Sequence, residues 1–307
     1  MKIQIIFLLL SLNIISSKLN SIDSLQINHL KSPLGIDITE NNFSFKSTEE
    51  GPFRAKLFLN NELIEEKEIK LENSHSFTFD NKLEYNKIYK YVVESSNSKS
   101  ELEFETSIQL EKSFIKPKYK NIFSPIFFKQ FNLDKNSIKK ARLYITGLGL
   151  YRAFINNERA GNSYLTPGYN DYDYYLRYQT YNITQLLKKE NNIIEIHMGD
   201  GWYKGRFGNA RADGKQEEIF GDEYKLCAHI LIEFDDGSTQ DILTDETWKV
   251  KHSQEISNSI YDGEEIDFTY ENKTEEDVIK SNENYNLIPD FSSPIVEKEK
   301  LIPELYI

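Results

Sequence analysis

The hydrophobic positions in the first hundred residues fall into short runs that alternate with polar ones. The runs LQINHL, FSFKS, FRAKLFL, FTFD, IYKYVVES and ELEFETS are separated by turn material, including Glu50-Gly51-Pro52, Asn60-Asn61 and Asp80-Asn81-Lys82. Within IYKYVVES, Tyr89 and Tyr91 alternate with Lys90 and Val92, so the two tyrosines share one strand face. Short runs at roughly 8–12-residue spacing predict an all-β sandwich. A fibronectin III/immunoglobulin-like module is therefore expected over residues 23–106, acting as a spacer.

Residues 107–123 are expected to form a linker, with Pro117 discouraging regular structure. The second module, 124–285, opens on SPIFFKQFNL. Leu143 and Ile145 alternate with Arg142 and Tyr144, the mark of a sheet with one buried face. Gly147 and Gly149 interrupt the following strand and suggest a bulge or a close backbone approach. Tyr151, Ala153 and Ile155 share a face, and Asn156-Asn157 can turn a hairpin because Asn tolerates positive φ. ENNIIEIHM and KLCAHILIEFDDGSTQDILTDETWKV read as further strands, the latter turning at Asp236-Gly237. One short helix is expected in ITQLLKKE, capped by Thr184. The pattern fits an antiparallel jelly-roll (galactose-binding-like) β-sandwich. The tail, 286–307, carries Pro289, Pro294 and Pro303 without a strand period, and reads as a linker towards a downstream domain.

Composition narrows the function. The 307 residues suit about two domains. With 37 Lys+Arg against 49 Asp+Glu, the net charge of −12 disfavours nucleic acid and anionic membrane surfaces as partners. The 19 Tyr and 19 Phe supply enough apolar surface for two sandwich cores. MKIQIIFLLLSLNIISSKLNS has a basic residue, an apolar run and small residues at Ser16 and Ser17. It reads as a signal peptide over 1–17, too short for a comfortable membrane span, so a secreted or endomembrane/lysosomal location is expected. Asn42, Asn182 and Asn272 head N-x-S/T sequons, which matter if that leader is used.

Candidate chemistry is sparse. Cys227 is the only cysteine and lies in an alternating strand, where it reads as an inert core residue; His229 shares its strand face. The histidines lack zincin spacing, and Gly147-Leu-Gly149 lacks the third glycine of a dinucleotide fingerprint. The carboxylate pairs Glu217-Glu218, Asp222-Glu223, Asp235-Asp236 and Glu264-Glu265 lie in turn-like segments and read as solvated surface. Sugar recognition fits better, because a pyranose offers an apolar face to an aromatic ring and hydroxyls to Asp, Asn or Arg. Two segments have that make-up. PGYNDYDYY sets Asn170, Asp171 and Asp173 among tyrosines, and GDGWYKGR carries Asp200, Trp202, Tyr203 and Arg206. The competing reading is architectural: the Asp and Asn residues form turns and Trp202 anchors a loop on the core.

Three pieces of the second module, ARLYITGLGLYRAFINN, LTPGYNDYDYYLRYQTYNIT and GDGWYKGRFG, resemble in order and spacing the N-terminal β-sandwich region of the bacterial-type α-L-rhamnosidases. The likeness extends over about 124–267 and includes YDGE at Tyr261 to Glu264. It implies a place in a glycoside hydrolase of rhamnosides, whose catalytic (α/α) toroid follows this region and has no counterpart here. No catalytic residue is carried over, and the chain alone is expected not to hydrolyse anything. The resemblance also implies a rhamnose-binding role with a bound calcium ion, for which Asn170, Asp171 and Asp200 would supply hard oxygen ligands. The expected function is accessory: the chain packs against, or presents a rhamnose-containing glycoside to, a catalytic domain. The alternative is a stand-alone secreted carbohydrate-binding or adhesion protein.

Overall fold

The computed structural model describes residues 22–302 apart from 40, 71–75, 121, 206–219, 272–273 and 283. The leader-like segment, Arg206, Glu217-Glu218 and the Asn272 sequon lie outside the described residues. The architecture is all-β, its one helical piece among the described residues being a single 3-10 turn, Thr184–Leu186.

The first sandwich packs a three-stranded sheet (Ile22–Ile27, Phe43–Ser47, Ser76–Phe77) on a four-stranded one (Phe53–Leu59, Glu62–Ile69, Ile88–Glu94, Lys99–Glu105), all pairs antiparallel. The alternation read in IYKYVVES places Tyr89 and Tyr91 in its core. Phe43 is the centre of that core, with Tyr91 at 5.2 Å and Phe104 at 5.8 Å between ring centres. These edge-to-face contacts add to the area buried.

The second unit is a curled twelve-stranded sheet closed on one apolar core around Phe127, Leu143, Ile196, Ile230 and Trp248, all fully buried. Its longest strand, Ile138–Leu148, pairs with Lys225–Phe234 on one side and Leu176–Asn182 on the other. Gly149, at φ 119°, lets the chain turn directly into Leu150–Ile155, which belongs to the opposite half of the sheet. A Cβ there would stand 3.0 Å from the carbonyl oxygen of Gly199 and 3.0 Å from the Tyr224 ring. Asn156 and Asn157 turn the next hairpin at φ 53° and 69°, and Gly237 turns another at φ 82°.

Three local expectations are corrected. Thr184 does not cap a helix; its hydroxyl accepts from the Ala141 N–H at 2.9 Å and donates to Asn182 Oδ1 at 2.8 Å, tying a turn to the sheet. Residues expected to be only a linker contribute a strand, Ile115–Pro117, inserted between Lys225–Phe234 and Glu276–Lys280. The proline-rich tail also pairs: Leu287–Pro289 runs parallel to Leu176–Asn182, and Ile295–Val296 joins Ser163–Tyr164.

A buried ionic cluster joins the two units. Glu105 of the first accepts from Lys140 Nζ at 3.0 Å and from Arg142 Nε and Nη2 at 3.0 and 2.7 Å. Asn86 donates to Glu233 at 2.8 Å and accepts from Lys140 at 2.8 Å. Burial pushes the Glu233 carboxyl up, but Asn86 and Lys140 outweigh it and hold it below the usual range. Ser107 and Tyr178 share a hydroxyl–hydroxyl bond beside this cluster.

Candidate functional site

The sandwiches and the folded-back tail meet around a cleft of about 570 Å³. His29, Leu30 and Leu34 form the wall from the first sandwich. Ser163 to Tyr169 form the rim, and Asp290, Ser292 and Ile295 of the tail close the far side. Arg177 and Gln179 line it from strand Leu176–Asn182, where the two-residue period puts both on one face.

Arg177 organises the cleft. Its Nε and its backbone N–H both donate to Asn170 Oδ1 at 3.0 Å. Nη1 donates to Ser292 Oγ and, at 3.4 Å, to Asp290; Nη2 donates to the Tyr169 carbonyl. Phe291 lies 5.4 Å from the guanidinium. Gln179 donates to the other Asp290 oxygen at 2.9 Å and accepts from the Tyr151 hydroxyl at 2.6 Å. This network fixes the polar groups of the cleft relative to one another. The aromatic surface comes from Trp202, half-buried, and from Tyr169, exposed at its rim. Behind them Tyr172 stacks edge-on against Tyr203 at 5.2 Å and Tyr169 at 6.0 Å, and burial pushes its hydroxyl pKa up.

The residues expected to bind sugar are thus dispersed. Trp202 lines this cleft. Asn170 is almost fully buried and serves as the acceptor that holds Arg177. Tyr203 is buried behind the cleft, with its hydroxyl 3.4 Å from that of Tyr285. Asp171 closes a turn, its carbonyl accepting from the N–H groups of Tyr174 and Tyr175 at 2.9 Å. Asp173 faces a separate open shelf with Tyr174 and Asn286. Asp200 lines a different cleft and accepts from Lys204 Nζ at 2.9 Å and from the Tyr224 hydroxyl.

These placements do not fit the expected calcium site. A calcium ion needs six to eight oxygens converging on one point. The side-chain oxygens of Asn170 and Asp200 used here already face cationic partners, Arg177 and Lys204. No cluster of acidic, His or Cys side chains suited to a metal occurs among the described residues.

Arg177, Gln179 and Asp290 were missed as site residues. The first two could have been found as polar residues on one face of the strand YLRYQTYN. Asp290 gave no signal, because it lies in a tail that looks like a linker. Among the described residues lining the cleft, Asp290 is the one carboxylate, whereas glycoside hydrolysis ordinarily uses two. Cys227, fully buried in strand Lys225–Phe234, has its thiol pushed up to about 12 by burial, so it stays protonated.

Comparison with known proteins gives a consistent picture. An α-L-rhamnosidase of Streptomyces avermitilis is 32% identical over 138 residues, 45% of this chain and 13% of that protein. One from Formosa agariphila is 34% identical over 140 residues, 45% of this chain and 15% of that protein. The chain therefore spans less than a fifth of the length of these relatives. The crystal structure of an Aspergillus terreus α-L-rhamnosidase aligns with a TM-score of 0.74 at 26% identity, covering 88% of this chain and 35% of the enzyme. That of the S. avermitilis enzyme complexed with L-rhamnose aligns with a TM-score of 0.75 at 13% identity, covering 91% and 47%, a likeness of fold. The sequence model of the α-L-rhamnosidase N-terminal domain matches residues 136–291, just over half of the chain. The chain belongs to the α-L-rhamnosidase N-terminal domain family.

Proposed function

We propose that this chain is the accessory, sugar-binding N-terminal part of an α-L-rhamnosidase-type glycoside hydrolase, and that it holds a rhamnosyl group for a catalytic domain. The observation that carries this reading is the cleft in which Trp202 and Tyr169 face a rigid set of polar groups built on Arg177, Gln179 and Asp290. An aromatic surface takes the apolar face of a deoxysugar, including its C6 methyl, while the hydroxyls meet Gln179, Asp290 and Ser292. The names of the relatives support rhamnosides as the ligand class, and their much greater length supports a separate catalytic part. The leader-like residues 1–17 support a secreted location.

Binding of one monosaccharide is weak, so a dissociation constant near the millimolar range, about −4 kcal/mol, is expected. Titrating L-rhamnose into the isotope-labelled chain should move the indole N–H resonance of Trp202 and the Arg177 side-chain signals. Trp202→Ala and Tyr169→Ala should each abolish the response while leaving the remaining spectrum folded. Saturating rhamnose that moves neither signal would show the cleft to be a structural joint between the sandwiches.

A further inference from the structure

The Trp202 cleft shares a wall with a second cleft of about 550 Å³. That wall is the dipeptide Tyr164-Leu165, whose residues line both. It is firmly held. The Arg159 guanidinium lies 4.3 Å from the centre of the Tyr164 ring, and Tyr164 pairs with Ile295 of the tail. Leu165 sits at φ 55°, a left-handed conformation that a leucine rarely adopts and that tends to persist where a ligand or clamp needs it. Its carbonyl accepts from the Gly168 N–H at 2.8 Å.

The second cleft has the chemistry of a sugar site in its own right. Leu150, Met198 and Ile260 give it an apolar side, and Arg152, Glu255 and Asn258 its polar groups. Arg152 is half-exposed and stands 3.7 Å from Glu255, a loose pairing that leaves guanidinium donors for hydroxyl oxygens. His197 packs its ring at 4.9 Å from Phe154 and borders the same space. Asp200, Glu255 and Glu264 face Arg152 and, on Asp200, Lys204, a balance that stays negative and disfavours an anionic sugar.

We propose that the two clefts are adjoining subsites for a neutral oligosaccharide, with one sugar residue in each and Tyr164-Leu165 as the ridge between them. The proposal rests on the reading of the Trp202 cleft as a sugar site and deepens it: the ligand is an extended rhamnoside, and the second cleft selects its next residue. Linking two weak contacts in one molecule makes the second effectively intramolecular, so affinity rises without any change in the first.

The test compares L-rhamnose with a neutral rhamnose-containing trisaccharide and with a uronate-containing trisaccharide on the isotope-labelled chain. Rhamnose should move the Trp202 cleft alone. The neutral trisaccharide should also move His197 and Arg152 and bind roughly tenfold tighter. Arg152→Ala should return its affinity to that of the monosaccharide and leave rhamnose binding unchanged, whereas Tyr164→Ala, at a residue that lines both clefts, should weaken both sugars. If rhamnose still moves Trp202 but the neutral trisaccharide binds no tighter and leaves His197 unmoved, the second subsite is refuted and the first stands. Equal affinity for the uronate-containing trisaccharide would overturn its neutral character. If no sugar moves either cleft, both readings fall together.

Discussion

His197 lies on strand Asn192–Gly199, and its imidazole is held well below its ordinary value, at about 4, chiefly by burial, with Arg152 and Lys251 assisting against Glu195. A histidine whose folded pKa is depressed gives up stability as pH falls, because the unfolded chain takes the proton first. Stability should be full above about 6.5 and decline as pH drops towards 4, by roughly 3 kcal/mol if the whole shift is realised. Urea denaturation at pH 7 and pH 4.5 measures this. His197→Gln should flatten the slope between those values, and an unchanged slope would place the pH dependence elsewhere. Neighbouring polar residues show why sequence reveals composition better than role. Asn170 and Asp200 were legible as polar residues among aromatics, but the sequence does not say which side chain each one faces. That depends on Arg177, Lys204 and Tyr224, whose approach is set by the turns between them.

Elements that form through side-chain alternation or turn chemistry could be read directly. Tyr89 and Tyr91 in the first core, the paired asparagines at 156–157 and the Asp236-Gly237 turn are all where the pattern puts them. Elements that form only by backbone pairing with a distant partner could not. Ile115–Pro117 has three residues, one of them a proline, and owes its strand to the neighbours Leu226 and Val278. The tail strands are equally short and carry no apolar period, so their recruitment depends on Leu176–Asn182 and Ser163–Tyr164 being there to receive them. The candidate site was half visible for the same reason. Trp202 and the strand residues came from the second sandwich, while Asp290 and Ser292 arrived with the tail and His29 with the first sandwich.

Across the whole molecule, Glu105 is the residue on which the joint depends. It is almost fully buried beneath Lys140 and Arg142, and its removal leaves buried Arg142 without its anion, while Lys140 keeps Glu233 at 3.0 Å. Breaking one side of such a cluster costs about 3–5 kcal/mol. Glu105→Ala should therefore lower the unfolding midpoint and split one cooperative transition into two, followed by calorimetry. Glu105→Gln, which keeps hydrogen bonding but loses charge, should do so less. A single transition at the wild-type midpoint would mean that the remaining contacts, among them Asn86 with Glu233 and Lys140 and Ser107 with Tyr178, hold the joint without Glu105.

The ends of the large sheet lead to a different kind of restriction. One end of its strand path is Glu158–Arg159, two residues long, and the other is Leu287–Pro289, which finishes in a proline that has no N–H to offer. In the four-stranded sheet of the first sandwich, one of the two outer strands, Glu62–Ile69, is studded with Glu65, Glu66, Lys67 and Glu68. Short, proline-ended and charged edges are poor templates for another chain's backbone. These borders do not invite a visiting peptide to extend the sheet, nor neighbouring copies to stack into fibres. On the proposed function, recognition is left to side chains in the clefts, which suits a glycan, a ligand that has no peptide backbone to pair.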